Sequence, residues 1–215
     1  MTQEPGLRER KKSETRSALW HTAVRLFLER GFDNVSVAEI AAGANVSKMT
    51  VFNYFPAKED LILAPMEAHV GEPARVVRDR AVGENVIEAL RRHFLTALRE
   101  RDPVVGLSDD PKILSVHRLI LDTPTLRHGA MAMRERNEHL LVAEFERVVG
   151  RPGDLACRLA ASQILNVRQI LVARTTERLA AGATADEVYP VAVAEAEAAF
   201  KQLAEGLGDF GMREG

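Results

Sequence analysis

The chain has 215 residues, of which 46% are hydrophobic and 28% charged, a mix that buries a core in water and excludes a disordered chain. No run approaches the roughly 18 uninterrupted apolar residues of a membrane span, and the opening MTQEPGLRERKK lacks the apolar segment of a secretory signal. A single cysteine, Cys157, allows no internal disulfide and no Cys/His cluster suggests a metal, so a cytoplasmic location without cofactor is expected; the net charge of −2 excludes no partner.

Charge is unevenly spread. Residues 8–16 set Arg8, Arg10, Lys11, Lys12 and Arg16 against only Glu9 and Glu14, whereas residues 183–215 carry two basic and seven acidic side chains. A basic cluster by itself is a solvated face, and it takes a second motif to point to nucleic acid.

In chain order, Leu19, Trp20, Ala23, Val24, Leu26 and Phe27 recur at helical spacing, and Gly31 ends that helix. Ser36-Val-Ala-Glu39 reads as a capping box that opens a short second helix to about Ala42 or Gly43. Ser47 caps a third, running to about Tyr54 and stopped by Pro56. A fourth starts at Ala57–Asp60, where Pro65, Gly71 and Pro73 must kink or interrupt it. Val86, Leu90, Phe94 and Leu98 mark a fifth, Pro103–Pro111 a loop, and Ile113–Leu121 a sixth. Residues 125–149 make a seventh and 154–181 an eighth; a ninth begins at Tyr189 or Pro190 and runs to Leu207, with a frayed tail at 208–215. No stretch shows strand alternation, so the expected class is all-α with about nine helices.

Two short helices joined by a tight turn and packed on a longer one are the plan of a helix-turn-helix. On the second of them Lys48, Thr50, Asn53 and Tyr54 offer polar contacts, and Met49 an apolar one to a thymine methyl. The plainer reading of each feature is that Ser36 and Ser47 merely cap helices in a core. The ordered run is more specific: Ala23, Leu26, Phe27, Gly31, Phe32; then Ser36, Val37, Glu39, Ile40, Ala41; then Val46, Ser47, Thr50, Val51, Phe52, Tyr54, Phe55, Pro56, Lys58, Glu59 and Leu61. This run resembles the DNA-binding domain of the TetR family of bacterial transcriptional regulators.

The resemblance implies a three-helix DNA-binding domain over 1–60 and a helical ligand-binding and dimerisation domain over 61–215. It implies that Ser36, Val37, Ser47, Lys48, Met49, Thr50, Asn53, Tyr54 and Lys58 lie at the DNA, with the 8–16 segment as an arm that tracks phosphates or enters a minor groove. Two residues depart from the family's pattern: Asn45 stands where glycine is common in the turn, and Phe52 where tyrosine is common. The expected partners are a palindromic double-stranded operator, a second copy of the chain and a small molecule, with no membrane. The dimer contact would come from the last two helices, through Ala196, Phe200, Leu203 and Leu207 and the alanines at 192, 194, 198 and 199. The ligand-wall candidates are His93, His117, Arg118, Asn166 and Arg168, with Asn166 singled out by its apolar neighbours. Ligand would shift a population of operator-spaced dimers, with Pro65, Gly71 and Pro73 as a kinked lever.

Rival readings are an enzyme and a helical interaction protein or activator that keeps the fold without inducer-controlled repression. No G-x-S-x-G, P-loop, H-E-x-x-H or dinucleotide fingerprint is present. Asp109-Asp110 reads as a solvated turn rather than a carboxylate dyad, and Cys157 as a packed thiol.

Overall fold

A computed structural model describes residues 6–207, without the side chains of Leu7, Arg8 and Leu207. The expected frayed tail, the Arg8 contact and the Leu207 end of the dimer stripe lie outside the described residues. Within them the chain is all-α: α1 (Leu7–Arg30), α2 (Val37–Gly43), α3 (Lys48–Tyr54), α4 (Asp60–Glu67), α5 (Glu72–Arg78), α6 (Val86–Glu100), α7 (Pro111–Asp122), α8 (Pro124–Val149), α9 (Leu155–Ala180) and α10 (Ala185–Leu207). A 3₁₀ turn at Pro103–Val105 lies in the expected loop.

The chain divides into two compact units, one of Met1–Ala68 with Ser115–Ala130, the other of His69–Leu114 with Met131–Gly215. In the first, α1 packs on α2 and α4, and α2 packs on α3. Leu19, Ala23, Val24 and Phe27 of α1 and Val51 of α3 are buried. Phe27 and Phe32 meet with ring centroids 5.0 Å apart. In the second unit α10 packs on α6 and α9, and α5 on α6. Phe94 and Phe200 are both buried there, 5.9 Å apart.

Five expectations are corrected or sharpened. The basic segment 8–16, expected as an N-terminal arm, forms the first turns of α1. It has no Gly or Pro to stop a helix, Arg10 pairs with Glu14 at 3.8 Å, and Thr15 Oγ1 donates to the Lys11 carbonyl at 2.9 Å. The expected fourth helix is two: Pro65 is accommodated inside α4, and the break comes at residues 68–71. There Gly71 takes φ +79°, and its N–H donates to Asn137 Oδ1 at 2.7 Å. With that split the described residues form ten α-helices.

The last helix starts at Ala185, five residues before Pro190. A second capping box sets the start: Thr184 Oγ1 accepts the Glu187 N–H at 3.3 Å, and Glu187 Oε2 accepts the Thr184 N–H at 2.8 Å. Asp109-Asp110 is more than a solvated turn. Asp110 accepts from the Lys112 N–H at the head of α7, and Asp109 from the Ala185 N–H at the head of α10. Most of the proposed dimer stripe faces inward, since Ala192, Ala196, Phe200 and Leu203 are buried within their own subunit.

Candidate nucleic-acid interface

Helix α2 begins with the expected capping box. The Ser36 N–H and hydroxyl both donate to Glu39 Oε2 at 2.8 Å, and the Glu39 N–H donates back to Ser36 Oγ at 3.2 Å. Arg30 Nη1, in the last turn of α1, donates to the other carboxylate oxygen at 2.7 Å. The Ser36 groups, with Arg30 behind them, hold the Glu39 carboxyl down at about 2, from an ordinary 4.5. Ser36 is thus exposed but engaged. Close approach of α2 to α1 requires Gly43, where a Cβ would lie 2.9 Å from Thr22 Cγ2.

The turn is a Schellman arrangement. The Val46 N–H donates to the Ala41 carbonyl at 2.9 Å and the Asn45 N–H to the Ala42 carbonyl at 3.1 Å. Asn45 adopts φ +55°, a left-handed conformation that asparagine tolerates better than most residues. The departure from glycine at this position leaves the turn intact.

Ser47 caps α3 by accepting the Thr50 N–H. Val51 turns inward and is fully buried, and Phe55 just beyond the helix is buried too. The opposite face carries Lys48 and Phe52 one turn apart, and Met49 and Asn53 likewise, all exposed. Met49 is 70% exposed, so it has no packing role within the chain. Lys48 Nζ lies 5.8 Å from the centroid of the Phe52 ring. The phenylalanine that replaces a tyrosine therefore forms an apolar platform beside a cation, without a hydroxyl to donate. Thr50 and Tyr54 are half-buried at the edge of this face, as is Val37 at the head of α2.

Two further cations rest on core rings. Lys58 Nζ is 4.3 Å from the Phe32 centroid and 5.6 Å from that of Phe27. Arg16 Cζ is 5.0 Å from that of Phe55. Aromatic faces attract and orient such groups. Sequence periodicity pointed to these rings only as core, so their role in placing Lys58 and Arg16 was not legible from it.

The ligand-wall candidates are divided between the two units. His117 and Arg118 lie on the part of α7 that belongs to the first unit; burial pushes the His117 imidazole down, and Arg118 is exposed. Asn166, expected to be a buried amide, is exposed on α9, and its side-chain oxygen accepts from Arg134. The apolar neighbours in sequence point to other sides of the helix. His93 and Arg168 are linked in the second unit through Glu72, which lies against His93 and whose charge reaches Arg168. Arg168 Cζ lies 5.3 Å from the ring of Phe94, the residue next to His93, and His93 Nε2 lies 3.6 Å from Glu72 Oε1. Glu72 was missed in the sequence, where nothing ties an acid in α5 to a histidine in α6. Among the described residues no three His, Cys, Asp or Glu side chains gather as a metal site. Cys157 is buried, which raises its thiol pKa and disfavours the thiolate.

Residues 19–64 match the family model for bacterial regulatory proteins of the tetR family. The HTH-type transcriptional regulator TcmR of Streptomyces glaucescens is 34% identical over 123 residues, which cover 57% of this chain and 54% of that protein. The first three curated relatives are spanned over 54%, 30% and 60% of their own lengths. NalD of Pseudomonas aeruginosa, described as the secondary repressor of the MexAB-OprM multidrug efflux pump, superposes with a TM-score of 0.57 at 19% identity, over 92% of this chain and 97% of its own. SmeT, solved as a triclosan complex, gives 0.59 at 16% identity over 90% and 91%. At such identities these two likenesses speak for fold alone. Residues 19–64 thus carry the N-terminal domain of the tetR family of bacterial regulatory proteins.

Proposed function

We propose that the chain is a cytoplasmic, non-enzymatic transcriptional regulator that binds a palindromic operator as a homodimer and is released by a small molecule. The observation that carries the reading is the outer face of α3, where Lys48, Met49, Phe52 and Asn53 are exposed together while Val51 anchors the helix from behind. Such a helix, capped at Ser47 and set by a left-handed Asn45, is suited to a major groove. Ser36, Val37, Thr50, Tyr54 and Lys58 frame it. The basic start of α1 adds Arg10, Lys11, Lys12 and Arg16 as phosphate partners.

A dimer is supported by apolar side chains that the subunit leaves uncovered. Leu155 is 67% exposed, Leu159 50% and Ile170 57% on α9, and Val191 is 42% exposed on α10. A two-fold axis would bury these faces against their own copies and set two α3 helices about 34–36 Å apart, one turn of DNA. Among the described residues no helix is long and apolar enough to cross a membrane, and exposed apolar side chains of this kind suit an interface between copies.

Gel shifts on the DNA upstream of the protein's own gene, repeated over a range of salt, test the reading. A log–log slope well below zero is expected from phosphate contacts. A slope near zero would instead favour a helical interaction protein that has kept the fold.

A further inference from the structure

Arg168 is a half-buried cation whose forked end is incompletely paired. Its Nη1 is shielded from solvent and has no hydrogen-bond partner, and the guanidinium lies over the Phe94 ring. The adjacent His93 also has a buried ring nitrogen, Nδ1, without a partner. Glu72 is the acid whose field reaches Arg168, but its two oxygens are turned to His93 Nε2 at 3.6 Å and His69 Nδ1 at 3.4 Å.

Other arginines of this unit are treated differently. Arg78 and Arg147 share Glu144, Arg174 and Arg178 share Glu195, and Arg91 holds Glu88 and Glu197. Arg80, more buried than Arg168, donates to the Val77 and Glu84 carbonyls. Burial disfavours the charged form of Arg168, yet an arginine does not escape by losing its proton. An anion is the missing counterpart.

We propose that Arg168 and His93 recognise the head group of an apolar carboxylic acid, the small-molecule ligand of the regulator reading on which this inference rests. The carboxylate accepts from Arg168 Nη1. With Nε2–H directed at Glu72, His93 Nδ1 accepts from a hydroxyl beside that carboxylate. The rest of the ligand is apolar because Phe94, beneath the guanidinium, belongs to one buried hydrophobic core with Leu90, Leu98, Ile164, Leu165 and Leu171. A single guanidinium facing apolar walls suits one negative charge on a hydrocarbon body better than a phosphate.

Thermal denaturation of the full chain with sub-micellar decanoate, 2-hydroxydecanoate and decanamide tests this. The acids are expected to raise the Tm, the hydroxy acid more, and the amide not at all. Arg168→Met is expected to abolish the rise. Without ligand it should melt no lower than the parent, since it removes an incompletely paired charge. Arg168→Lys, which keeps the charge but loses the fork, should retain part of the rise. The proposal is overturned if Arg168→Met alone lowers the Tm by about 2–4 °C or more, which would make Arg168 structural. It is also overturned if acids and amide act alike on the parent protein, including by doing nothing. Gel shifts without any acid test the regulator reading separately. DNA binding with no response to the acids retires the anion site alone, and an acid-dependent Tm rise without DNA binding retires only the regulator reading.

Discussion

The Ser47 and Thr50 hydroxyl oxygens lie 2.8 Å apart, and the Thr50 N–H donates to Ser47 Oγ at 3.0 Å. The head of α3 is therefore closed on itself, and these hydroxyls fix the helix before any DNA contact. Ser47→Ala removes the cap and should cost about 1 kcal/mol of stability, seen as a lower denaturation midpoint together with weaker binding to every DNA sequence. Ser47→Asp keeps a capping oxygen and adds a negative charge where phosphates would approach. It should hold the midpoint and still lose DNA binding. Equal binding by the Asp variant and the parent would remove the head of α3 from the interface.

Lys58 and Asn53 should fail in different ways. Lys58, half-buried just before α4, holds its ammonium against Phe32. Its proposed role as a phosphate partner means that Lys58→Ala is expected to weaken all sequences by a similar factor. It should also reduce the salt slope by about 1. Asn53 stands on the outer face of α3, one turn from Met49. Asn53→Ala should change the ranking of operator variants, by about 1–3 kcal/mol at one base pair. Binding profiles over a randomised operator distinguish the two effects. A uniform loss with Asn53→Ala would place that residue at a phosphate.

The N-terminal half of this picture was legible because its signals are local. A cap, a turn residue and a three-residue apolar face fall within a few positions of one another, and Ser36-x-x-Glu39 and Ser47 form the bonds their spacing implies. The start of α10 was equally local and still went unread: Thr184-x-x-Glu187 is the same capping box, overshadowed by Pro190. What could not be read depends on pairings across the chain. Asp109 caps a helix 76 residues away, and Arg91 meets Glu197 106 residues on. Asn166 misled because sequence neighbours on a helix point around the whole circle, so its apolar flanks say little about its own direction. Arg168 and His93 were legible as polar residues in apolar helices, but not the link of each to Glu72.

Gly106 follows the 3₁₀ turn at φ +75°, and a Cβ there would lie 2.8 Å from the Val172 carbonyl oxygen and 2.6 Å from Thr176 Oγ1. Backbone on one side cannot yield, and the conformation disfavours any side chain. Gly106→Ala should cost roughly 2–3 kcal/mol. Gly83 has a similar φ of +83° with nothing within 4 Å. Gly83→Ala carries the backbone cost alone, about 1 kcal/mol. Chemical denaturation of both variants measures the difference, which is the steric part. Equal losses would mean that α9 shifts freely around the turn.

Glu195 joins the last two helices. One oxygen accepts from Arg178 Nη2 and Arg174 Nη2 at 2.6 Å, and the other from Arg178 Nη1 at 2.9 Å. The Arg178 guanidinium first, then that of Arg174, holds its carboxyl at about 2 rather than 4.5. A depressed folded-state value means that the stabilisation is fully present above pH 4.5 and is lost as pH falls from there towards 2. Glu195→Gln keeps the shape and removes the titration. The variant should be less stable than the parent near neutral pH, and the gap should close across that acid window. Because the arginines are partly open to solvent, high salt should narrow the gap at neutral pH as well. Denaturation midpoints measured from about pH 7 down to about pH 2 decide the matter, since a gap that stays constant through the acid limb would mean that Glu195 contributes packing and not charge.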